Sequence, residues 1–372
     1  MIQPITFTKA WLEGIRAKAG YEKINPQLAE KMIHALSLVE QLSVSGLPFI
    51  FKGGTSLILL IEIPGRFSID IDIITTASRE AIETALKLIC KGVPFSRYRL
   101  NEKRSFQKGI PKAHYELYYT SNVSEKEDHI LLDILLDEHG YPELLEKPID
   151  VDWIKANGKP VLVRIPTHES ITGDKLTAFA PNTTGILYKR GKDLDIVKQL
   201  SDLGRLYHHV RDISTIRKAF DNTVTREIAY RGHTCTREDV LDDIIQTGLL
   251  IARKDRNKQD PDVSNFAEIK RGLQQFTSYV INRPFRIEDA IIASSKAALM
   301  AAKIKIGDDS PLPIYPEGAS KAEFLINHPD CVYLNKLQGE ALFYWRKTYE
   351  LLGWHGEKAV SKLHKSSPGA GQ

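Results

Sequence analysis

Pro48-Phe49-Ile50-Phe51-Lys52-Gly53-Gly54-Thr55-Ser56-Leu57 reads as an apolar strand, a glycine turn and the start of an apolar helix, and Arg66-Phe67-Ser68-Ile69-Asp70-Ile71-Asp72-Ile73 follows closely. In an extended strand successive side chains alternate faces, so Asp70 and Asp72 point one way while Ile69, Ile71 and Ile73 point the other. Two carboxylates held side by side repel, and one pKa rises unless a cation neutralises the pair. A divalent metal answers that need, because Mg²⁺ takes carboxylate oxygens together with substrate phosphates. The Gly53-Gly54 turn supplies the complementary feature. Its bare backbone admits a close approach, and a helix N-terminus favours negative charge. The strand is expected over residues 48–51 and the helix over 56–61.

Lys52-Gly53-Gly54-Thr55-Ser56-Leu57, then Arg66-Phe67-Ser68, then Asp70-Ile71-Asp72-Ile73 resembles the signature of the AbiEii/AbiGii-type nucleotidyltransferases. That family holds toxins of toxin–antitoxin and phage-abortive-infection systems and includes the MenT tRNA nucleotidyltransferases. A glycine pair or a DxD alone is weak; their order, their spacing and the preceding RFS make the combination specific. The resemblance implies an α/β fold with a polymerase-β-like nucleotidyltransferase domain, built on a mixed sheet, over residues 1–165. A helical C-terminal domain, 166–372, is expected to contribute Lys175 and Asp193 to the cleft.

Composition sets outer bounds. A chain of 372 residues can bury a sizeable core and divide in two. Its 42% hydrophobic and 26% charged content is that of an ordinary globular protein. No run approaches a membrane span, and MIQPITFTKAWLEG lacks the apolar core of a signal peptide. Cys90, Cys235 and Cys331 stand far apart without metal spacing, and read as reduced thiols of a cytoplasmic protein. The net charge of +4 permits an RNA partner without demanding one, since binding needs a local patch. His233-Thr234-Cys235 has no partner cluster and is not read as a metal site.

Along the front of the chain, Asn25-Pro26 starts an amphipathic helix carrying Leu28, Met32, Ile33, Leu36, Val39 and Leu42. Ser78 caps the next helix, 80–90, and strands are expected over 95–100, 114–120, 129–136 and 161–165. The 130–136 segment, Ile-Leu-Leu-Asp-Ile-Leu-Leu, reads as a strand buried on both faces with one acid, Asp133, at its centre. An unpaired buried carboxylate carries a desolvation penalty of several kcal/mol. Sharing a metal with Asp70 and Asp72 removes it; so does an Arg or Lys partner, or a place at the sheet edge. Asp137 falls at the strand end. Pro64-Gly65, 257–262 and 307–311 read as loops, and the tail from Ser366 as disordered.

Beyond Pro166 helices dominate. Thr167 caps a helix over 168–180, stopped by Pro181-Asn182, on which Lys175 shares a face with Ile171, Ala178 and Phe179. Such a lysine either snorkels to solvent or meets a phosphate, and Asp174-Lys175-Leu176-Thr177-Ala178 resembles the family's lysine-bearing third motif. In the next helix Asp193 aligns with Ile196, Val197 and Leu200 and faces inward, whereas Asp195 faces outward. Lys192-Asp193 is similar to the family's fourth motif; an ordinary acid at a helix N-terminus is the alternative. The C-terminal helix, 334–352, places Ala341, Tyr344, Trp345 and Thr348 on one packing face.

The resemblance implies metal-assisted transfer of NMP from an NTP. Asp70, Asp72 and Asp133 would hold Mg²⁺ or Mn²⁺. Lys52, Gly53, Gly54, Thr55, Ser56, Arg66 and Lys175 would bind the nucleotide, and Asp193 would orient Lys175 or the nucleophile. The expected acceptor is RNA, the tRNA 3′ end above all, with a cognate antitoxin as partner and no membrane. The alternative is modification of a protein or a small molecule such as an antibiotic. Lys103, Arg104, Lys108 and Lys112, with Phe106, Tyr115, Tyr118 and Tyr119, form a basic and aromatic stretch suited to single-stranded RNA. A solvated hairpin is the plainer reading, and the Arg253, Lys254, Arg256 and Lys258 cluster shares that ambiguity.

Overall fold

The structure, a computed structural model, describes residues 1–18, 24–61, 65–107, 109–254, 263–281, 283–326 and 329–353. Pro64, Lys108, Arg256, Lys258, the 257–262 loop and the tail from Ser366 lie outside the described residues, as does the Phe106 side chain. The chain divides into two compact units, Met1–Thr167 with Ser278–Pro284, and His168–Thr277 with Phe285–Gln372.

In the first unit α1 (Lys9–Arg16) and α2 (Pro26–Val44) lead to β1 (Ile50–Lys52), α3 (Gly53–Leu60), β2 (Ile71–Ile74) and α4 (Arg79–Ile89). Then follow β3 (Phe95–Leu100), the one-turn α5 (Glu102–Ser105), β4 (Phe106–Gln107), β5 (Ile110–Thr120), β6 (Glu127–Leu135), β7 (Leu144–Pro148) and β8 (Leu162–Pro166). The expected caps form: Asn25 accepts from the Gln27 N–H at 2.9 Å and Ser78 from the Ala81 N–H at 3.2 Å. A six-stranded mixed sheet runs β1-β2-β6-β5-β3, with β4 paired to β5. Only β2 and β6 are parallel in it; β7 and β8 make a separate hairpin-like pair. One sheet face is apolar and carries Ile71, Ile73, Leu132, Ile134, Tyr115 and Leu117, all buried.

Two expectations need correction here. β6 is not buried on both faces: burial alternates, and Asp133 lies on the half-exposed side with Leu131 and Leu135. A row of leucines and isoleucines alone does not distinguish the two cases. Conversely α2, expected to be amphipathic, is buried nearly all round, including Glu30, His34 and Glu40. Each polar group there has a partner, which removes the desolvation penalty. Glu30 accepts from the Ser121 hydroxyl and the Asn122 N–H, both at 2.6 Å, and Glu40 from the Ile2 N–H at 2.9 Å. His34 stacks on Tyr119 with centroids 3.7 Å apart, and burial lowers its pKa to about 4.

The second unit is helical: α6 (His168–Ala178), α7 (Asp193–Leu206), α8 (Ile213–Tyr230), α9 (Arg237–Arg253), α10 (Val263–Phe276), α11 (Ile287–Ile306) and α12 (Gly339–Leu352). α11 is its core, buried from Ala293 to Ile304 and packed against α7, α9 and α12. α6 and α8 approach closely at Gly173, where a β-carbon would stand 2.6 Å from both Ala219 Cβ and the Phe220 nitrogen. α12 begins later than expected, because Pro329–Lys336 is a 3₁₀ helix; Ala341, Tyr344, Trp345 and Thr348 are buried as its packing face. Among the described residues no helix is long and apolar enough to cross a membrane.

Candidate active site

Strand register builds a polar row across the sheet of the first unit. Lys52 on β1 pairs with Asp72 on β2, Asp72 with Asp133 on β6, and Asp133 with His114 on β5. Residues directly opposite in a sheet project to the same face, so Lys52, Asp72, Asp133 and His114 share one side. Ile71 and Ile73 flank Asp72 on the opposite, fully buried side. Asp70 precedes β2 by one residue, and the Thr55 hydroxyl fixes it by donating to its carbonyl at 2.6 Å.

The glycine turn lies against this row. α3 starts at Gly53 itself, one residue past the end of β1, and Gly53 has φ +76°. A β-carbon there would stand 2.1 Å from Asp72 Oδ2, so glycine is required twice, by backbone conformation and by contact. A β-carbon on Gly54 would stand 2.3 Å from an Arg66 guanidinium nitrogen and 2.9 Å from the Ser68 hydroxyl. Arg66 is buried and donates to the Phe67 carbonyl at 3.0 Å. Its segment is held by the returning 278–284 stretch: the Phe67 N–H donates to Tyr279 at 2.8 Å and the Ile281 N–H to Gly65 at 3.1 Å. Thr55 and Ser56 are fully buried, and the Ser56 hydroxyl donates to the Gly53 carbonyl at 2.9 Å. The Ser56 hydroxyl is thus committed to the turn and the Thr55 hydroxyl to the Asp70 carbonyl.

Asp133 has two partners that its sequence neighbourhood did not reveal. His114 Nδ1 is 2.5 Å from Oδ1, and an Arg104 guanidinium nitrogen donates to Oδ2 at 3.2 Å. Among the described residues no group of three His, Cys, Asp or Glu is posed to hold a metal ion. The donor set still fits Mg²⁺, which is held by one or two carboxylates and completed by water and substrate phosphate rather than by an all-protein cage. Asp72 and Asp133, paired in the β2–β6 register, bring two carboxylates to one face, with Asp70 one residue before β2. Asp137 sits in a bend beyond β6, outside the row.

The basic and aromatic stretch comes apart. Tyr115 and Tyr119 are buried under the sheet and offer no face for a base. Tyr118 donates to Glu116 at 2.5 Å and is covered by the Arg97 guanidinium, 3.5 Å from its ring centroid. Burial raises the Glu116 pKa, but the bonds from Tyr118, Arg99 and Asn101 overcome it and bring it to about 2. Strand alternation, which a cluster count ignores, separates these residues.

Lys175 and Asp193 belong to the second unit. Lys175 does not snorkel: it is buried on α6, 2.7 Å from Asp202 of α7, and donates to Gln199 at 3.0 Å. Asp193 is buried at the start of α7, as its spacing indicated, and Asp195 is half-exposed and pairs with Lys198. Arg271 of α10 donates to Asp193 Oδ2 at 2.7 Å, while Oδ1 is buried without a hydrogen-bond partner.

A family model described as nucleotidyl transferase AbiEii toxin, type IV TA system, matches residues 37–277. The chain belongs to the AbiEii family. The match takes in the glycine turn, the aspartate strand, Asp133, Lys175 and Asp193 of this AbiEii chain. Its membership makes it a nucleotidyltransferase-family toxin of a type IV toxin–antitoxin system. A search of curated proteins returns no match. Among solved structures, JHP933 from Helicobacter pylori is 16% identical with a TM-score of 0.42, covering 76% of this chain and 93% of that one. A candidate nucleotidyltransferase from H. pylori is also 16% identical at TM-score 0.42, with 74% and 92% covered.

Proposed function

We propose that this AbiEii-family chain is a metal-dependent toxin that transfers NMP from an NTP to an RNA acceptor, the 3′ end of tRNA. The observation that supports the reading is the close approach of the Gly53 turn to the Asp72 carboxylate, since a helix start favours phosphate and a carboxylate favours the metal that accompanies it. Asp70 and Asp72, with Asp133, would hold Mg²⁺ or Mn²⁺, whose chemistry is to neutralise the triphosphate and lower the pKa of the attacking hydroxyl. Gly53, Gly54, Thr55 and Ser56 bind phosphate through backbone N–H groups at the start of α3. The Ser56 hydroxyl holds the turn in shape and the Thr55 hydroxyl ties it to Asp70. Lys52, in register with Asp72, and Arg66, beside Gly54, balance phosphate charge. Lys175 is assigned to phosphate and Asp193 to orienting the nucleophile, on the strength of the family motifs. Membership of a type IV system implies a cognate antitoxin.

The test is transfer of each α-³²P-labelled NTP to total bacterial RNA by the purified protein with Mg²⁺, beside an Asp70→Ala/Asp72→Ala control. Label in a tRNA-sized band that vanishes in the control is expected. Absence of RNA labelling with all four nucleotides overturns the RNA assignment and leaves a protein or small-molecule acceptor.

A further inference from the structure

Asp133 is held from two sides by groups of unlike character. His114 occupies the position directly across from it on β5, and its side chain is 10% exposed. The backbone around His114 is pinned: its N–H donates to the Ser105 hydroxyl at 2.9 Å, and its carbonyl accepts from Asn101 at 2.8 Å. The Ser105 hydroxyl in turn donates to the Asn101 carbonyl at 2.7 Å, closing the one-turn helix α5 against β5. Among the described residues the imidazole therefore has a fixed place and a single polar contact, from Nδ1 to Asp133 Oδ1. Nε2 is buried with no hydrogen-bond partner. A ring carrying its proton on Nδ1 suits both facts, since it donates to the carboxylate and leaves no N–H stranded at Nε2. Arg104 differs: it is 44% exposed, charged, and rides on α5.

We propose that His114 is a positioning residue for Asp133, holding Oδ1 by its Nδ1–H so that Oδ2 is presented beside Asp72 to a divalent cation, with Arg104 as the counter-charge that the cation replaces. The proposal rests on the metal-dependent reading above. A carboxylate oxygen that accepts one hydrogen bond keeps lone pairs for a cation, whereas a guanidinium and a divalent ion compete for the same charge. Partners that orient a metal-binding carboxylate change metal affinity when removed, by about 10–100-fold.

The experiment is Mn²⁺ binding to the full-length protein, followed by electron paramagnetic resonance of free Mn²⁺, with thermal unfolding of each variant alongside. His114→Leu is expected to weaken Mn²⁺ binding by about 10–100-fold with the unfolding midpoint little changed. His114→Asn, whose amide N–H stands near the position of Nδ1–H, is expected to recover affinity to within about threefold of the wild type. Asp133→Asn should match His114→Leu. Wild-type affinity in His114→Leu, or equal weakening in His114→Asn, overturns the positioning role. The Asp70→Ala/Asp72→Ala protein separates the two levels: if it alone loses Mn²⁺, only the His114 assignment falls, and if it binds as the wild type does, the metal reading falls and this assignment with it.

Discussion

Gly53 joins backbone strain to site chemistry, and a comparison with Gly46 separates the two. Both have positive φ, +76° and +78°, so alanine at either carries a left-handed penalty of about 1–2 kcal/mol. Space around Gly46 is open, but at Gly53 the new β-carbon meets Asp72 Oδ2 at 2.1 Å. Urea unfolding should therefore show Gly46→Ala destabilised by about that strain alone, with nucleotidyl transfer intact. Gly53→Ala should lose more stability and at least about 100-fold in kcat, because a displacement near 1 Å in a reacting constellation has that effect. Equal activity in the two variants would detach the turn from the chemistry. What could be read at this scale followed a local rule. Asp72 obeys strand alternation, opposite the buried Ile71 and Ile73, and Asp193 helical spacing, whereas Asp70 stands one residue before β2. His114 and Arg104 follow no local rule, since they reach Asp133 across 19 and 29 positions of sequence, through a strand pairing that no local pattern specifies.

At the scale of elements, two buried carboxylates tie the helices of the second unit. Asp202 on α7 meets Lys175 on α6, with side chains 2% and 5% exposed. Removing one member of such a pair destabilises by about 3–5 kcal/mol, because the other charge is left buried alone. Lys175→Met should show that loss, and Lys175→Met/Asp202→Leu should regain most of it while nucleotidyl transfer stays absent. Activity in the double variant would make Lys175 a structural residue only. On α9, Asp243 accepts from the Asn182 N–H at 2.8 Å and from the Thr183 hydroxyl at 2.8 Å, fixing the turn after α6. Burial pushes its pKa from 3.8 up to about 6 against the pull of those bonds. The native protein therefore holds this proton more tightly than the unfolded chain does. The stability it contributes is complete below about pH 4 and is lost as pH rises through 6. Between pH 4 and 7 the wild type should lose about 2 kcal/mol relative to Asp243→Asn, whatever fixed difference the substitution carries. A pH-independent gap would refute the raised pKa. Elements whose ends carry caps, such as α2 and α4, were legible to within a residue. β5 starts at Ile110 rather than 114, since Pro111 and Lys112 carry no strand signature; the ladder to β6 reaches back to Lys112 and pairing with β4 extends the strand to Ile110.

For the whole molecule, the two compact units part between Thr167 and His168. The return of Ser278–Pro284 to the first unit was not legible, because it depends on backbone pairing with Gly65–Phe67, far away in sequence. The family match over 37–277 runs through both units, so nucleotide binding is expected to leave its mark on both. Mg²⁺ with the NTP that supports transfer, at about 100 times its Kd, should stabilise the protein by about 2.7 kcal/mol, and should not stabilise the Asp70→Ala/Asp72→Ala variant. Hydrogen–deuterium exchange of the intact chain under the same conditions locates the effect. Slowed exchange is expected at the Gly53–Ser56 amides, since a helix N-terminus leaves its first N–H groups without intrahelical partners and a phosphate would occupy them. Lys175 and Asp193 predict a second zone of protection on α6 and the first turn of α7. Protection confined to the first unit would remove both residues from nucleotide binding and leave Lys52 and Arg66 as the cations that meet the triphosphate.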